Sequence, residues 1–287
     1  MIKTLFNISD LSSEDINNIL NTDEEKQVLH NKNLGLLFEK HSTRTRLSFA
    51  VGIAHLGGNM IDLRFEDLNI SRNESFEDTF RAFNCYLDGL IFRTSDHKRL
   101  ELASKFFHKP IINALSDKSH PCQTISDLFT LKEHFGTLNL DLLWMGDMNN
   151  VCFSLVEAVN LIKDLKLTIC TPIDISSKAQ WLYNDNIKII SDINDINLGS
   201  IDCVMTDVFI SMNDNDNHIK IEKLKKYAVT NDIMKNTKKN SIFMHCLPAE
   251  LNKEVSEIVF KGEKSIVWKQ AHNRLVAQKK LLQYVNW

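Results

Sequence analysis

Within Phe38-Glu-Lys-His-Ser-Thr-Arg-Thr-Arg46 the chain concentrates hydroxyl and guanidinium groups. An apolar run ends at Phe38, and a helical pattern starts near Thr43, with Leu47, Ala50, Val51 and Ala54 on one face. Ser42 is placed as the N-cap of that helix. A first helical turn leaves backbone N–H groups unpaired at the positive end of the helix dipole. Thr43, Arg44 and Thr45 add hydroxyl donors and a planar fork there, a set that suits a phosphate dianion. A bare Ser-Thr-Arg is more often a plain cap beside solvated arginines. The whole string, at the carboxyl end of a strand, favours the anion.

Other polar residues stand at the ends of apolar runs. Arg93 closes Gly89–Arg93, Asp207 follows Cys203–Thr206, and His245-Cys-Leu-Pro248 ends the run from Ile242. His120 precedes Pro121 at the head of a helical stretch. Carboxyl ends of parallel strands are where α/β sheets bind ligands. Taken one at a time, these residues have duller readings: a surface arginine, a satisfied histidine, a loop aspartate, a small buried cysteine.

The elements that must position them alternate along the chain. Ten strands are predicted: Leu34–Phe38, Met60–Leu63, Gly89–Arg93, Pro110–Asn113, Leu142–Gly146, Leu167–Thr171, Ile187–Ile190, Cys203–Thr206, Ile242–His245 and Ser265–Trp268. Helices are predicted over Thr43–Leu56, Glu74–Tyr86, Lys98–Phe107, Cys122–His134, Val151–Lys163 and Asn273–Tyr284. This alternation is the pattern of an α/β protein with parallel sheets flanked by helices. Ten strands in 287 residues suit two domains facing each other across a cleft. The boundary is expected near Glu133–Asn139, giving domains over 1–135 and 140–268, with the last helix, about 270–287, packing back on the first.

Composition removes several classes. With 34 basic and 37 acidic residues the net charge is −3, so there is no basic excess to attract nucleic acid. No window approaches the ~18 apolar residues of a membrane span. The first ten residues lack the apolar core of a signal peptide and are not Arg-rich. The six cysteines (Cys85, Cys122, Cys152, Cys170, Cys203, Cys246) form no Cys-x-x-Cys pair, so reduced thiols and a cytoplasmic location are expected. Asn213-Asp-Asn-Asp-Asn217 reads as a surface loop, since it lacks the glycine and closing glutamate of a calcium loop. Gly146-Asp-Met-Asn-Asn150 lacks the spacing of a dinucleotide loop.

Phe38-Glu-Lys-x-Ser-Thr-Arg-Thr-Arg46 resembles the carbamoyl phosphate signature of the aspartate/ornithine carbamoyltransferase family, in its ornithine form. His120-Pro-Cys-Gln123 with Asp127, Asp207-Val-Phe-Ile-Ser-Met212 and His245-Cys-Leu-Pro248 fit the same family in the same order. Gly146-Asp-Met-Asn-Asn150 and Asn273-Arg-Leu-x-Ala-Gln278 are also similar to it. The resemblance implies carbamoyl transfer from carbamoyl phosphate to the δ-amine of ornithine, without metal or organic cofactor, in a homotrimer. It gives carbamoyl phosphate to Ser42, Thr43, Arg44, Thr45, Arg93, His120, Gln123, Cys246, Leu247 and Arg274. Asn69 would reach a neighbouring subunit's phosphate. Arg93, His120, Cys246 and Arg274 would be catalytic: Arg93 on phosphate and carbonyl oxygen, His120 on the carbamoyl oxygen, and Cys246 beside the amine. Asn150, Asp207, Ser211 and Met212 would hold the α-amino and α-carboxylate groups of ornithine. Met148 and Asn213 stand where glycine is usual, Phe209 where Trp is usual, and Glu250 where His is common. These departures fall on the amino-acid side. Other readings are transfer to another amine, such as putrescine, and a silent carbamoyl phosphate-binding protein.

Overall fold

The computed structural model describes residues 2–23, 27–177, 184–210 and 218–287. The chain divides into two compact units, one of Met1–Phe129 with His272–Trp287 and one of Thr130–Ala271.

In the first unit the chain runs β1 (Thr4–Leu5), α1 (Ser13–Asn21), β2 (Asn33–Phe38), α2 (Arg44–His55) and β3 (Asn59–Arg64). It continues through α3 (Phe76–Tyr86), β4 (Gly89–Arg93), α4 (Lys98–Phe106), β5 (Ile111–Leu115) and α5 (Pro121–Phe135). The sheet order is β1-β5-β4-β2-β3, parallel throughout. β2 and β4 are buried almost along their length, which is why they read as unbroken apolar runs. Leu37, Phe80, Phe83, Leu90, Phe92 and Phe107 form a core beside the sheet. Each such side chain contributes about 1.5–3 kcal/mol on burial.

The second unit contains β6 (Asp141–Met145), α6 (Asn150–Leu161), β7 (Lys166–Cys170), α7 (Ile173–Ser176) and β8 (Ile187–Ile190). Then come β9 (Cys203–Thr206), α8 (His218–Leu224), α9 (Asn231–Asn236), β10 (Ile242–His245), α10 (Glu257–Phe260) and α11 (Val267–Tyr284). Its parallel sheet is ordered β10-β9-β6-β7-β8. Its core includes Leu143, Met145, Val204, Phe243 and Val255. Helices α5 and α11 each run across the division between the units.

In each sheet the strand order reverses at one place. In the first it is between β2 and β4, with β3 to one side and β5 to the other; in the second it is between β6 and β9. Ligands of open α/β sheets bind outside the carboxyl ends of such strands.

The observed strands include nine of the ten predicted, four with the expected bounds and five with ends shifted by one or two residues. Ser265–Trp268 is not a strand. Only Ser265 bridges Phe243, and α11 begins at Val267, earlier than the predicted start at Asn273. A short β-branched run cannot be told from helix by periodicity, and Trp268 is 70% exposed, as a central strand would not allow. The tenth strand is instead β1, only two residues long and too short to show a period. α1 was also not anticipated, although Ser12 and Asp15 form a reciprocal capping box at its start.

Helix α2 departs in orientation. Its buried side carries Thr45, Ser48, Phe49, Gly52 and Ile53. Leu47 and Val51, on the face used to recognise the helix, are 59% and 38% exposed within the chain.

Candidate active site

Two clusters lie at the two reversal points. In the first unit, β2 delivers residues 39–45 and β4 delivers Arg93. Ser42 does not cap α2: Thr43 occupies that position in helical conformation and makes no side-chain cap bond. The first turn of α2 thus keeps the positive character of an uncapped helix N-terminus. Arg46 pairs with Asp62 and lies over the Phe38 ring, so it braces β3.

Arg93 ends β4 at a register shift between Phe92 and Arg93. Such irregularities re-aim a side chain. Arg93 is buried, and its pKa is lowered to about 10 by desolvation, then by Arg274 and Arg44. It stays cationic at neutral pH. The three guanidinium groups repel one another, a field that an anion relieves.

His120, Gln123 and Arg274 complete this cluster. Arg274 donates through Nη1 to Gln123 Oε1 and through Nη2 to Thr45 Oγ1 at 2.8 Å. Gln123 Nε2 donates to Asp127 Oδ1 at 2.8 Å. A buried chain therefore runs from Asp127 through Gln123 and Arg274 to Thr45 in α2. His120 is buried, and burial, then Arg274 and Arg93, push its pKa well below the ordinary value. It is a neutral imidazole at physiological pH, able to donate one hydrogen bond without adding charge. Asn69 stands apart, exposed at the start of a short 3-10 turn, Asn69–Arg72.

In the second unit, β6 is followed by Gly146, whose φ of +114° takes the chain sharply away. A Cβ there would also crowd Phe209 and Thr206. Asn149 caps α6, its Oδ1 accepting from the N–H groups of Val151 and Cys152 at 3.0 and 3.1 Å. Its Nδ2 donates to Asp207 Oδ2 at 2.6 Å. Asp207 Oδ1 accepts from the Val208 N–H at 2.8 Å and from Cys246 Sγ at 3.0 Å. Asn150, the residue anticipated here, is half-buried in the first turn of α6. Met148 and Phe209 are buried. Glu250 pairs with Lys253. Ser211, Met212 and the 213–217 patch lie outside the described residues.

β10 presents His245, Cys246 and Leu247. The Leu247 N–H donates to His245 Nδ1 at 2.9 Å, so the ring proton sits on Nε2, which faces Glu254 Oε1 at 3.2 Å. Leu247 is held at φ +60°, a region that leucine seldom visits. Among the described residues, Asp207, His245 and Cys246 form the one grouping with potential metal-ligand atoms, all within 4.8 Å. Both ring nitrogens of His245 already have protein partners. The exchangeable contact in this cluster is the thiol against the carboxylate, which suits an amine.

The structure thus gathers Thr45, Gln123 and Arg274 by direct bonds, with Arg93, Arg44 and His120 coupled to them electrostatically. It gathers Asp207 and Cys246 in the second cluster. Sequence reasoning missed Asn149, Glu254 and the orienting role of Asp127. Asn149 carried a signal, an asparagine just before an apolar helix. Asp127 did too, being one helical turn after Gln123. Glu254 carried none.

Residues 3–133 match the family described as aspartate/ornithine carbamoyltransferase, carbamoyl-P binding domain, and residues 138–285 match its Asp/Orn binding domain. An ornithine carbamoyltransferase of Methanosphaera stadtmanae is 36% identical over 302 residues, spanning 99% of each chain. One of Nitrosococcus oceani is 41% identical over 259 residues, 89% of this chain and 84% of that one. The ornithine carbamoyltransferase structure from Pyrococcus furiosus superposes with a TM-score of 0.90 at 34% identity, over 99% of this chain and 96% of the other. With signatures at both reversal points and relatives matched end to end, this chain belongs to the aspartate/ornithine carbamoyltransferase family.

Proposed function

We propose that the enzyme transfers the carbamoyl group of carbamoyl phosphate to the δ-amine of L-ornithine, giving L-citrulline and phosphate. The observation that carries this reading is the Asp127–Gln123–Arg274–Thr45 chain, which prepares donors around an uncapped helix N-terminus. Arg44, Thr43, Ser42 and Thr45 take the phosphate there. Arg93 neutralises phosphate and carbonyl oxygens together. His120, neutral by burial, donates to the carbonyl oxygen as negative charge develops on it. Donors aimed at a developing oxyanion supply one of the largest catalytic effects.

Asp207 and Asn150, with Ser211 and Met212, receive the α-amino acid group of ornithine. Its δ-amine must be neutral to attack, although an alkylamine such as lysine has a pKa of about 10.4 in water. Desolvation and the cations at the phosphate site favour the neutral form. The amine nitrogen forms a bond to the carbonyl carbon, the bond from carbon to the phosphate oxygen breaks, and the leaving phosphate accepts the amine proton. Cys246 positions the amine, and the Leu247 carbonyl accepts from the carbamoyl NH₂. Neither forms a covalent intermediate, and no metal or organic cofactor takes part in this scheme.

Assembly as a homotrimer belongs to the proposal. The outward apolar residues Leu47 and Val51 of α2, and Met60 and Ile61 on edge strand β3, support it. So does the exposed Asn69, offered to a neighbouring phosphate site. A cytoplasmic location is supported by six free cysteines, of which four are buried. No helix among the described residues is long and apolar enough to cross a membrane.

The test is incubation with carbamoyl phosphate and, separately, ornithine, putrescine, acetylornithine and aspartate, measuring phosphate and ureido product. Citrulline from ornithine alone is expected, with kcat/KM falling at least ~100-fold in Arg44→Ala. Product from putrescine alone would move the function to that amine. Carbamoyl phosphate binding without turnover would leave only a binding protein.

A further inference from the structure

The string that supplies the phosphate hydroxyls also contains an acid, Glu39, which the reaction does not use. Its side chain is 5% exposed. A buried carboxylate so close in sequence to a dianion site would oppose the ligand unless it were neutralised. Arg99, in the first turn of α4, pairs with Glu39 Oε1 at 2.6 Å. Glu39 Oε2 accepts from Thr94 Oγ1 at 2.6 Å, and the Glu39 N–H donates to the Arg93 carbonyl at 3.0 Å. One side chain therefore ties the exit of β2 to the exit of β4, directly beside Arg93. Arg99 in turn lies over the rings of Phe65 and Phe76, 5.2 and 5.7 Å from their centroids. Those rings bracket the segment that carries Asn69.

We propose that Glu39 and Arg99 are a positioning pair. They hold the three phosphate-binding segments of this unit in register, and they keep the Glu39 charge from opposing the dianion. The inference rests on the carbamoyl phosphate reading of the site and deepens it. Neither residue touches the substrate. The pair acts through Thr94 and the Arg93 carbonyl on one side and through the ring-bracketed segment on the other. Arg99 takes the carboxylate that stands beside Arg93.

The experiment measures carbamoyl phosphate affinity by calorimetry at low temperature, together with KM and kcat, in the full-length enzyme. The variants are Glu39→Gln, Arg99→Met, Arg99→Lys, the Glu39→Gln/Arg99→Met double and Thr94→Val, each checked for its melting temperature. Glu39→Gln and Arg99→Met are each expected to weaken carbamoyl phosphate about tenfold, with kcat and the ornithine KM within about twofold of wild type. Arg99→Lys should recover most of the affinity. The double variant should be no worse than either single, as for two halves of one interaction. Thr94→Val, which alters no charge, should weaken binding about threefold, so the proposal stays testable if the charge variants misfold. Lower melting temperatures with unchanged carbamoyl phosphate affinity would overturn it, as would additive losses in the double variant. Wild-type protein that binds carbamoyl phosphate without turnover would remove the transfer reading yet leave this comparison decisive. Wild-type protein that does not bind it would overturn both.

Discussion

At the level of single residues, burial rather than sequence neighbours sets the chemistry of the first cluster. His120 departs from the ordinary histidine pKa. Enclosure and two arginines lower it. Such a group is neutral in the folded state at pH values where the unfolded chain already binds a proton. Folding stability should therefore rise with pH through the window from the lowered folded pKa up to about 6.5, by about 1.4 kcal/mol per pH unit, and be flat above it on this account. His97 is lowered too, by burial and then Lys118, and acts in the same window. The measurement is thus the difference in denaturation free energy between wild type and His120→Gln from pH 5 to 8. The wild-type slope should be the steeper, and equal slopes would contradict the neutral-imidazole assignment.

At the level of elements, the N-terminus of α6 performs two tasks through one asparagine. Asn149 Oδ1 caps the helix and Nδ2 holds Asp207. Substitution separates them. Asn149→Ala should cost about 1 kcal/mol of stability and also weaken ornithine binding. Asn149→Asp keeps the capping oxygen but sets a carboxylate against Asp207. It should retain most of the stability while raising the ornithine KM about tenfold or more. Thermal melts and ornithine titrations of the two variants check this, and parallel losses in both properties would contradict it.

The elements also show where sequence patterns are legible. Runs such as Gly89–Arg93 announce buried strands because both faces are covered. The apolar face of α2 was equally clear as a period. Its direction was not, because the buried side mixes Phe49 and Ile53 with Thr45, Ser48 and Gly52, small residues of which Gly52 lies against Leu275, Lys279 and Leu282 of α11 and Thr45 accepts from Arg274.

At the level of the whole molecule, that outward face bears on assembly. Leu47 and Val51, with Met60 and Ile61, would be an aggregation liability on an isolated chain. The native mass is expected to be about three times the 33.1 kDa chain. Leu47→Glu with Val51→Lys should shift it toward one chain in sedimentation, with loss of activity if Asn69 serves a neighbouring site. A trimeric mass unchanged by the pair would place the interface elsewhere.

The sequence by itself determined the α/β class, nine of the ten strands and the polar residues at their carboxyl ends, because buried parallel strands and helix starts are written in local apolar periods and caps. The tertiary structure alone decided the strand orders that make β2–β4 and β6–β9 the reversal points, since pairing is non-local. It also decided that Thr43 replaces Ser42 as the cap, that Asn149 holds Asp207, and that Glu39 meets Arg99. Those outcomes depend on which side chains far apart in the chain reach hydrogen-bond distance once the strand ends are brought together, and no local spacing records that distance.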